Sequence, residues 1–225
     1  MRDALIIPID DKDSLVITTD NSGGIGLKER DHVKVSYDTV GYFSFRVAVM
    51  DCLAAGARPI AVTIQNFCGE QEWDGLVSGV QKGIDELKMA DMNITGSTES
   101  NFPLLQSAVG LNVIGMRTST NRMIESPEVA LIGLPLVGNE VMVFAHQVAP
   151  LSLFYQLSLR EDVTVWPVGS KGIAYELQRL NLIKASRDID FQKSGGPATS
   201  FLLLYRKEKE SELAQLSGGY FHPLQ

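Results

Sequence analysis

Residues 47–59 read VAVMDCLAAGARP, and this stretch decides how the first half of the chain folds. Its small and apolar residues recur at helical spacing, which predicts a helix that buries one face. Gly56 can adopt the backbone conformation that ends a helix, and Pro59 cannot continue one. We therefore expect a long helix that has Asp38 as its N-cap and ends at Gly56. Asp51 stands inside this helix among apolar neighbours, where burial of an uncompensated carboxylate would be costly.

The residues alone leave two interpretations of Asp51 open. Its carboxylate pairs with Arg46 or Arg58 at the edge of the helix, or it binds a metal ion. Asp20 favours the second interpretation, because it ends the apolar run 14–19 and precedes a glycine-rich loop, and such positions commonly deliver functional side chains. Carboxylates without nearby histidine or cysteine suit magnesium, which binds oxygen ligands together with water and substrate phosphates.

Apolar patterns and turn residues predict the remaining elements of the first half. We expect strands at residues 4–8, 14–19, 60–67, 93–95 and 107–116, and a second helix at 70–89. The first two strands are expected to form a hairpin. The polar residues 96–101 are expected to form a loop after the fourth strand.

The polar stretch 117–121 lacks apolar periodicity and is the expected boundary between two domains, 1–120 and 121–225. In the second domain we expect strands at 129–132, 141–144, 163–166 and 200–205, and helices at 149–159, 171–180 and 208–216. Strands and helices are mixed without strict alternation, which favours the α+β class over a doubly wound sheet. Two glycine-bearing turns, 168–171 and 194–196, either present backbone N–H groups to a phosphate or simply precede regular elements.

The composition argues against several classes of protein. The chain has 225 residues, 44% of them hydrophobic, and its net charge of -7 argues against a general nucleic-acid-binding protein. No apolar run approaches the roughly 20 residues of a membrane-spanning helix, and no leader is recognisable, so we expect a cytoplasmic protein. Cys52 and Cys68 lie in apolar surroundings and are expected to be reduced and buried. The histidines have no zinc-like spacing, and the common glycine-rich nucleotide motifs are missing.

Several segments resemble the aminoimidazole ribonucleotide synthetase-like superfamily. The segments are Thr18-Thr19-Asp20, Gly24-Ile25-Gly26-Leu27-Lys28, and Asp51 with the small residues that lead to Gly56-Ala57-Arg58-Pro59. Residues 2–6, 129–141 and 194–204 are also similar, so the likeness covers most of the chain. The superfamily includes thiamine-monophosphate kinase, selenophosphate synthetase and a hydrogenase-maturation dehydratase.

The resemblance implies an N-terminal mixed sheet with helices on one face, which forms a barrel with its copy in a homodimer, and a smaller α/β C-terminal domain. It also implies ATP and Mg²⁺ as cofactors, held by acidic residues. The metal-site candidates are Asp3, Asp20 and Asp51. The nucleotide-binding candidates are Gly24, Gly26, Asp38, Gly96, Ser97 and Thr98. The candidate catalytic residues are Asp20, Asp51 and Lys28.

Some of these assignments have a simpler alternative. Lys28 either contacts a phosphate or is an ordinary solvated lysine. Asp38 either orients the acceptor or only caps its helix. One departure concerns the third acidic loop, where the family has a carboxylate and this chain has Ser97. Glu99 is the nearest residue that could replace it.

The function implied by the resemblance is a magnesium- and ATP-dependent kinase that transfers the γ-phosphoryl group to a hydroxyl group of a nucleoside-like or vitamin-precursor small molecule. Among shortened members of the superfamily, the chain resembles the α-ribazole kinase type of cobalamin biosynthesis. Two alternatives stay open. One is another ATP-dependent synthetase of the same superfamily, and the other is a non-catalytic nucleotide-binding dimer, which Ser97 favours.

Overall fold

The computed structural model describes residues 4–118, 124, 126–186 and 188–225, so the predicted metal ligand Asp3 lies outside the described residues. The chain divides into two compact units, Met1–Asn121 and Arg122–Gln225. Both units combine strands with helices, which confirms the α+β class. None of the described helices is long and apolar enough to cross a membrane.

A five-stranded mixed sheet forms the centre of the first unit. The elements in chain order are β1 (Ala4–Pro8), β2 (Ser14–Gly23), β3 (Ile25–Gly26), β4 (Val33–Lys34), α1 (Tyr37–Ala54), β5 (Arg58–Asn66), α2 (Trp73–Glu86), β6 (Asn93–Thr98) and β7 (Ala108–Arg117). One 3₁₀ turn, Glu70–Glu72, precedes α2. The strand order is β1-β2-β7-β5-β6, and only β5 and β6 are parallel. The short strands β3 and β4 pair separately.

Helix α1 covers one face of this sheet and packs on β2, β5 and β7. Strand residues on that face are buried: Val16, Thr18, Val62, Ile64, Leu111 and Val113. The end of α1 lies close to β7, because a Cβ atom added to Gly115 would be 2.5 Å from the sulfur of Cys52. The apolar residues of the stretch 47–59 therefore form the core between helix and sheet, and Gly56, with a φ of 75°, turns the chain into β5.

Helix α2 approaches α1 closely because glycines line its contact side. Three glycines are spaced four residues apart: Gly75, Gly79 and Gly83. A Cβ atom on Gly79 would lie 1.9 Å from the carbonyl oxygen of Asp38, and one on Gly41 would lie 2.3 Å from the carbonyl oxygen of Leu76. The two helices consequently pack backbone against backbone at this point.

The opposite face of the sheet carries apolar side chains that neither α1 nor α2 covers. Leu5 and Ile7 of the edge strand β1 are 59% and 41% exposed. The strand register places Leu5, Ile17 and Ile114 in one row across β1, β2 and β7. Such a contiguous apolar row is typical of a surface that contacts another molecule.

A four-stranded antiparallel sheet forms the second unit. The elements are β8 (Glu128–Ile132), α3 (Glu140–Val143), α4 (Leu151–Ser158), β9 (Val163–Pro167), α5 (Gly172–Arg179), β10 (Phe201–Tyr205), α6 (Glu210–Ser217) and β11 (Phe221–Leu224), with 3₁₀ turns at Ala145–Gln147, Lys207–Lys209 and Gly218–Tyr220. The strand order is β11-β8-β10-β9. Leu202 and Leu204 pack with Ile173 of α5. Phe201 packs edge-to-face with Phe154 of α4, with ring centroids 4.8 Å apart.

Two predictions about helices are wrong. Residues 141–144, predicted as a strand, fall largely in α3. Gly138 turns the chain there with a φ of 61°, and the Glu140 carboxylate accepts the N–H of Val137 at 3.1 Å, which starts a helical turn. Asp38 is not the N-cap of α1, because Ser36 takes that position. Asp38 lies in the first turn instead, where its negative charge still favours the helix.

Two predictions about loops are also wrong. Asp20 does not end its strand, because the ladder between β2 and β7 continues to the pair Gly23 and Ala108. Residues 96–98 are not part of a loop, since β6 extends to Thr98 in parallel pairing with β5. In both cases pairing with a neighbouring strand extends the strand beyond the residues whose apolar pattern predicts it.

Candidate functional site

Asp20 lies on the face of β2 that packs against α1. The hydroxyl of Thr18, two residues earlier on the same face, donates to the carbonyl oxygen of Ala48 at 2.6 Å. One turn before Ala48, the hydroxyl of Ser44 bonds to the Asp20 carboxyl. Burial raises the pKa of Asp20 to about 6, against the opposing effect of hydrogen bonds from the Asn21 N–H and from Ser44. Asp20 is therefore a partly dehydrated carboxyl whose charge a bound cation would stabilise.

Asp51 lies further along the same face of α1. It is 7% exposed and has an interaction partner within the protein. Ser44 and Asp51 are seven residues apart, which corresponds to about 10 Å along the helix axis. The Asp20 carboxyl, which bonds to Ser44, therefore lies nearer the start of α1 than Asp51 does.

The possible ion-pair partners of Asp51 differ in their positions. Arg58 forms an ion pair with Asp91, and both side chains are largely exposed. Arg46 is fully buried, and its electrostatic partners include Tyr42 and Glu86 on the side of α1 that faces α2. Arg58 is thus engaged by Asp91. Burial raises the pKa of the neighbouring Cys52 thiol to about 12, and the charge of Asp51 contributes to that rise.

Backbone hydrogen bonds within the protein hold the glycine loop that follows β2. The N–H of Gly24 donates to the carbonyl oxygen of Ser107 at 2.8 Å, and the carbonyl oxygen of Gly24 accepts the N–H of His32 at 2.8 Å. A Cβ atom on Gly26 would lie 2.5 Å from Ser107 Oγ and 2.9 Å from the ring of Tyr37. Close packing therefore explains Gly26, and the N–H of Gly24 is already used within the protein.

Lys28 reaches from this loop to two neighbouring segments. Its ammonium group donates to the carbonyl oxygen of Phe67 at 3.1 Å and to that of Leu104 at 3.0 Å. Both acceptors are neutral, and Lys28 has no ion pair with a carboxylate in the part of the chain that the structure describes. Because an ammonium group has three N–H donors, one remains for a further acceptor.

Asp31 is a buried carboxylate that holds the same loop, and sequence reasoning missed it. It is 6% exposed and accepts hydrogen bonds from the Lys28 N–H at 2.9 Å, and from the Ser107 N–H and hydroxyl at 2.7 Å each. Burial raises the pKa of Asp31, but these bonds and the charge of Lys34 outweigh it and hold the pKa below its usual value. An aspartate three residues after Lys28 in a polar turn was the available signal, since aspartate commonly bonds nearby backbone N–H groups.

The third candidate segment lies at the far edge of the sheet. Ser97 pairs with Gln65 on the face opposite to Asp20, and three strand spacings, about 14 Å, separate β6 from β2. Thr98 accepts a hydrogen bond from Asn66 at 3.1 Å. A Cβ atom on Gly96 would clash with the carbonyl oxygen of Ile64 at 2.1 Å, so Gly96 is required by packing. Ser97 and Asp20 therefore do not share an ion within one protomer.

Glu99, the candidate replacement for a carboxylate at Ser97, has a local role. Its carboxylate accepts the N–H groups of Asn101 at 2.7 Å and Phe102 at 3.2 Å. Within the described ranges, no three side chains of the metal-binding types are grouped closely enough to hold an ion. Magnesium nevertheless needs only one or two carboxylates when phosphates and water complete its shell, so Asp20 fits such an ion as a single protein ligand.

The first unit corresponds to a known domain family. The profile of the family described as "AIR synthase related protein, N-terminal domain" matches residues 1–117, more than half of the chain. The chain belongs to the AIR synthase-related family. This match confirms the resemblance inferred from the sequence motifs. No curated protein sequence matches the chain.

Solved structures of similar fold cover nearly the whole chain. Thiamine-monophosphate kinase from Stenotrophomonas maltophilia K279a matches with a TM-score of 0.62 at 15% identity, over 100% of this chain and 88% of that chain. AaThiL complexed with AMPPCP and TMP matches with a TM-score of 0.64 at 13% identity, over 99% and 83%. PurL of T. maritima complexed with AMPPCP matches with a TM-score of 0.63 at 12% identity, over 97% of this chain but 40% of that one. At these identities the likeness shows the fold alone.

Proposed function

We propose that this AIR synthase-related protein binds ATP with Mg²⁺ and transfers the γ-phosphoryl group to a hydroxyl group of a small molecule. The observation that carries the proposal is Asp20, a partly buried carboxyl held between β2 and Ser44 of α1 in the domain that the family profile matches. The AMPPCP in the AaThiL and PurL structures supports a nucleotide as the ligand. A nucleoside-like acceptor such as α-ribazole is the finer assignment.

In this proposal Asp20 is the principal ligand of the metal ion. Burial disfavours the ionised form of this carboxyl. A bound divalent cation would supply the opposite charge that stabilises the ionised form. Asp51, about two turns further along α1, is a second proposed metal ligand, and Asp3 is assigned from the sequence resemblance alone. Bound Mg²⁺ would offset phosphate charge during transfer. The side chains of the protein would bind and orient the reactants.

Lys28 is the proposed contact for a phosphate oxygen. Its position is fixed by the carbonyl oxygens of Phe67 and Leu104, and its charge is not neutralised by either of them. The remaining N–H donor of the ammonium group is available for an anionic acceptor. Gly24 and Gly26 support this contact by shaping the loop rather than by offering the N–H of Gly24. Asp38, at the exposed start of α1, remains a proposed nucleotide contact.

The uncovered face of the first sheet is the proposed homodimer interface. Leu5, Ile17 and Ile114 form a continuous apolar row there, and Leu5 is more than half exposed. Burying such a row against a second copy would remove apolar surface from water, which stabilises association by about 25 cal/mol for each Å² buried.

The decisive experiment is a thermal shift of the intact protein with ATP alone and with ATP plus Mg²⁺. A ligand that binds the native state raises its apparent stability, so wild type should show a magnesium-dependent rise. Asp20→Asn should lose this rise. The control Asp11→Asn, in the exposed turn before β2, should keep it. Equal responses of wild type and Asp20→Asn would rule out the metal role.

Transfer is then measured with a panel of nucleosides that includes α-ribazole. A phosphorylated alcohol supports the kinase, and a product of dehydration or ring closure supports a different ATP-dependent reaction of the family. Ser97, which supplies no carboxylate, favours a second candidate function, a nucleotide-binding dimer without transfer activity. That candidate predicts a magnesium-dependent thermal shift with no phosphorylated product from any acceptor.

A further inference from the structure

The backbone N–H, the backbone carbonyl oxygen and the ammonium group of Lys28 each make hydrogen bonds within the protein. Its N–H donates to Asp31 Oδ2 at 2.9 Å, and its carbonyl oxygen accepts the ammonium group of Lys34. Its own ammonium group donates to the carbonyl oxygens of Phe67 and Leu104. A solvated lysine side chain on a loop otherwise samples many rotamers. At Lys28 much of that freedom is removed before any ligand arrives.

Asp31 connects this loop to the core of the first unit. Besides the Lys28 N–H, it accepts both the N–H and the hydroxyl of Ser107, at the start of β7. The Ser107 hydroxyl also lies 2.8 Å from the hydroxyl of Tyr37, at the start of α1. A chain of hydrogen bonds thus runs from α1 through Ser107 and Asp31 to the backbone of Lys28.

We propose that Asp31 is a positioning residue that acts through Lys28, with Lys34 as its auxiliary. The inference rests on the proposed function, in which Lys28 contacts a phosphate of ATP. Asp31 holds the N–H of Lys28 and Lys34 holds its carbonyl, so the ammonium group meets an anion in one fixed place. Binding then avoids the cost of ordering the loop, which is the general benefit of a preorganised site.

A double-mutant cycle distinguishes positioning from a general structural role. The dissociation constant of ATP with Mg²⁺ is measured for wild type, Asp31→Asn, Lys28→Met and the double variant. Asp31→Asn should weaken binding about tenfold, and it should have no further effect in the Lys28→Met background. Additive losses would overturn the proposal, because Asp31 would then act independently of Lys28. If Asp31→Asn does not fold, Lys34→Met takes its place in the cycle, since Lys34 is exposed.

A second measurement does not depend on nucleotide binding. Acetylation rates of individual lysines are followed by mass spectrometry, with exposed Lys12, in the turn before β2, as the internal reference. Lys28 should react more slowly than Lys12 in wild type and should approach the rate of Lys12 in Asp31→Asn and Lys34→Met. Equal rates in wild type would overturn the positioning of Lys28. A slow Lys28 in a wild type that fails to bind ATP would instead sustain the positioning and reject the proposed function.

Discussion

The hydroxyl of Thr18 on β2 donates to the carbonyl oxygen of Ala48 in α1 at 2.6 Å, and this bond sets how the strand lies along the helix. Two residues further along the strand, Asp20 meets Ser44, one helical turn earlier. The strand and the helix therefore run in opposite directions at this contact. Asp51 lies about two turns further along α1 than Ser44.

Asp20→Asn is expected to stabilise the ligand-free protein at pH 7. The pKa of Asp20 is raised from 3.8 to about 6, so between these values the native state keeps a proton that the unfolded state has released. Wild-type stability therefore falls as pH rises through this window. The shift sets an upper limit of about 3 kcal/mol, and we expect about 1 to 2 kcal/mol because Asp20 is partly exposed.

Urea unfolding between pH 4 and pH 8 tests this expectation. The advantage of Asp20→Asn should be largest above pH 7 and should shrink strongly at pH 4, where the native wild-type carboxyl is protonated. Asp11→Asn serves as the exposed control and should show no such trend. A stability difference that is the same at every pH would contradict the dehydrated state of Asp20.

Gly79→Ala should destabilise the protein by about 3 kcal/mol. The new methyl group would lie 1.9 Å from the carbonyl oxygen of Asp38 and 2.6 Å from the backbone nitrogen of Tyr42, and backbone atoms cannot move aside as a side chain can. Chemical unfolding measures the loss. Ser78→Ala, on the exposed side of the same helix, is the matched control and should change stability by less than about 0.5 kcal/mol. Equal effects of the two substitutions would mean that α1 and α2 are not in backbone contact.

The sequence predicts those helices and strands that depend mainly on their own residues. The helical period from residue 47 onward matches the last turns of α1, and Gly56 follows its end where a positive φ is needed. The extent of β2 was not predictable in the same way, because it depends on pairing with β7, about ninety residues later. Asp20 was therefore assigned to a strand end although it lies inside the strand.

In the candidate site, too, some features depend on neighbouring residues in the sequence and others on residues far away in the sequence. A glycine loop that carries Lys28 was predictable from the loop's own residues. The partners that fix Lys28 were not, because Leu104 and Ser107 are more than seventy residues away from the residues that they contact. The contact of Asp20 with Ser44 also follows only from how β2 lies on α1.

Thr199→Val should destabilise the second unit by about 1 to 3 kcal/mol. The buried hydroxyl accepts the N–H of Leu136 at 3.0 Å and lies 2.9 Å from the carbonyl oxygen of Leu134, so valine leaves buried polar groups without a partner. Thermal unfolding measures the change. Thr164→Val, on β9, is the isosteric control and should have a smaller effect. A control that costs as much as Thr199→Val would show that the hydroxyl of Thr199 is not the cause.

Leu5→Lys should convert the proposed dimer into a monomer. The substitution places a charge in the row of Leu5, Ile17 and Ile114, where association would have to remove it from water. Because Leu5 is 59% exposed within one chain, the fold itself should keep its stability. Sedimentation velocity over a range of concentrations gives the oligomeric state. Ile183→Lys, which changes a 97% exposed side chain in the second unit, should leave the dimer intact. A dimer that survives Leu5→Lys would exclude this sheet face as the interface.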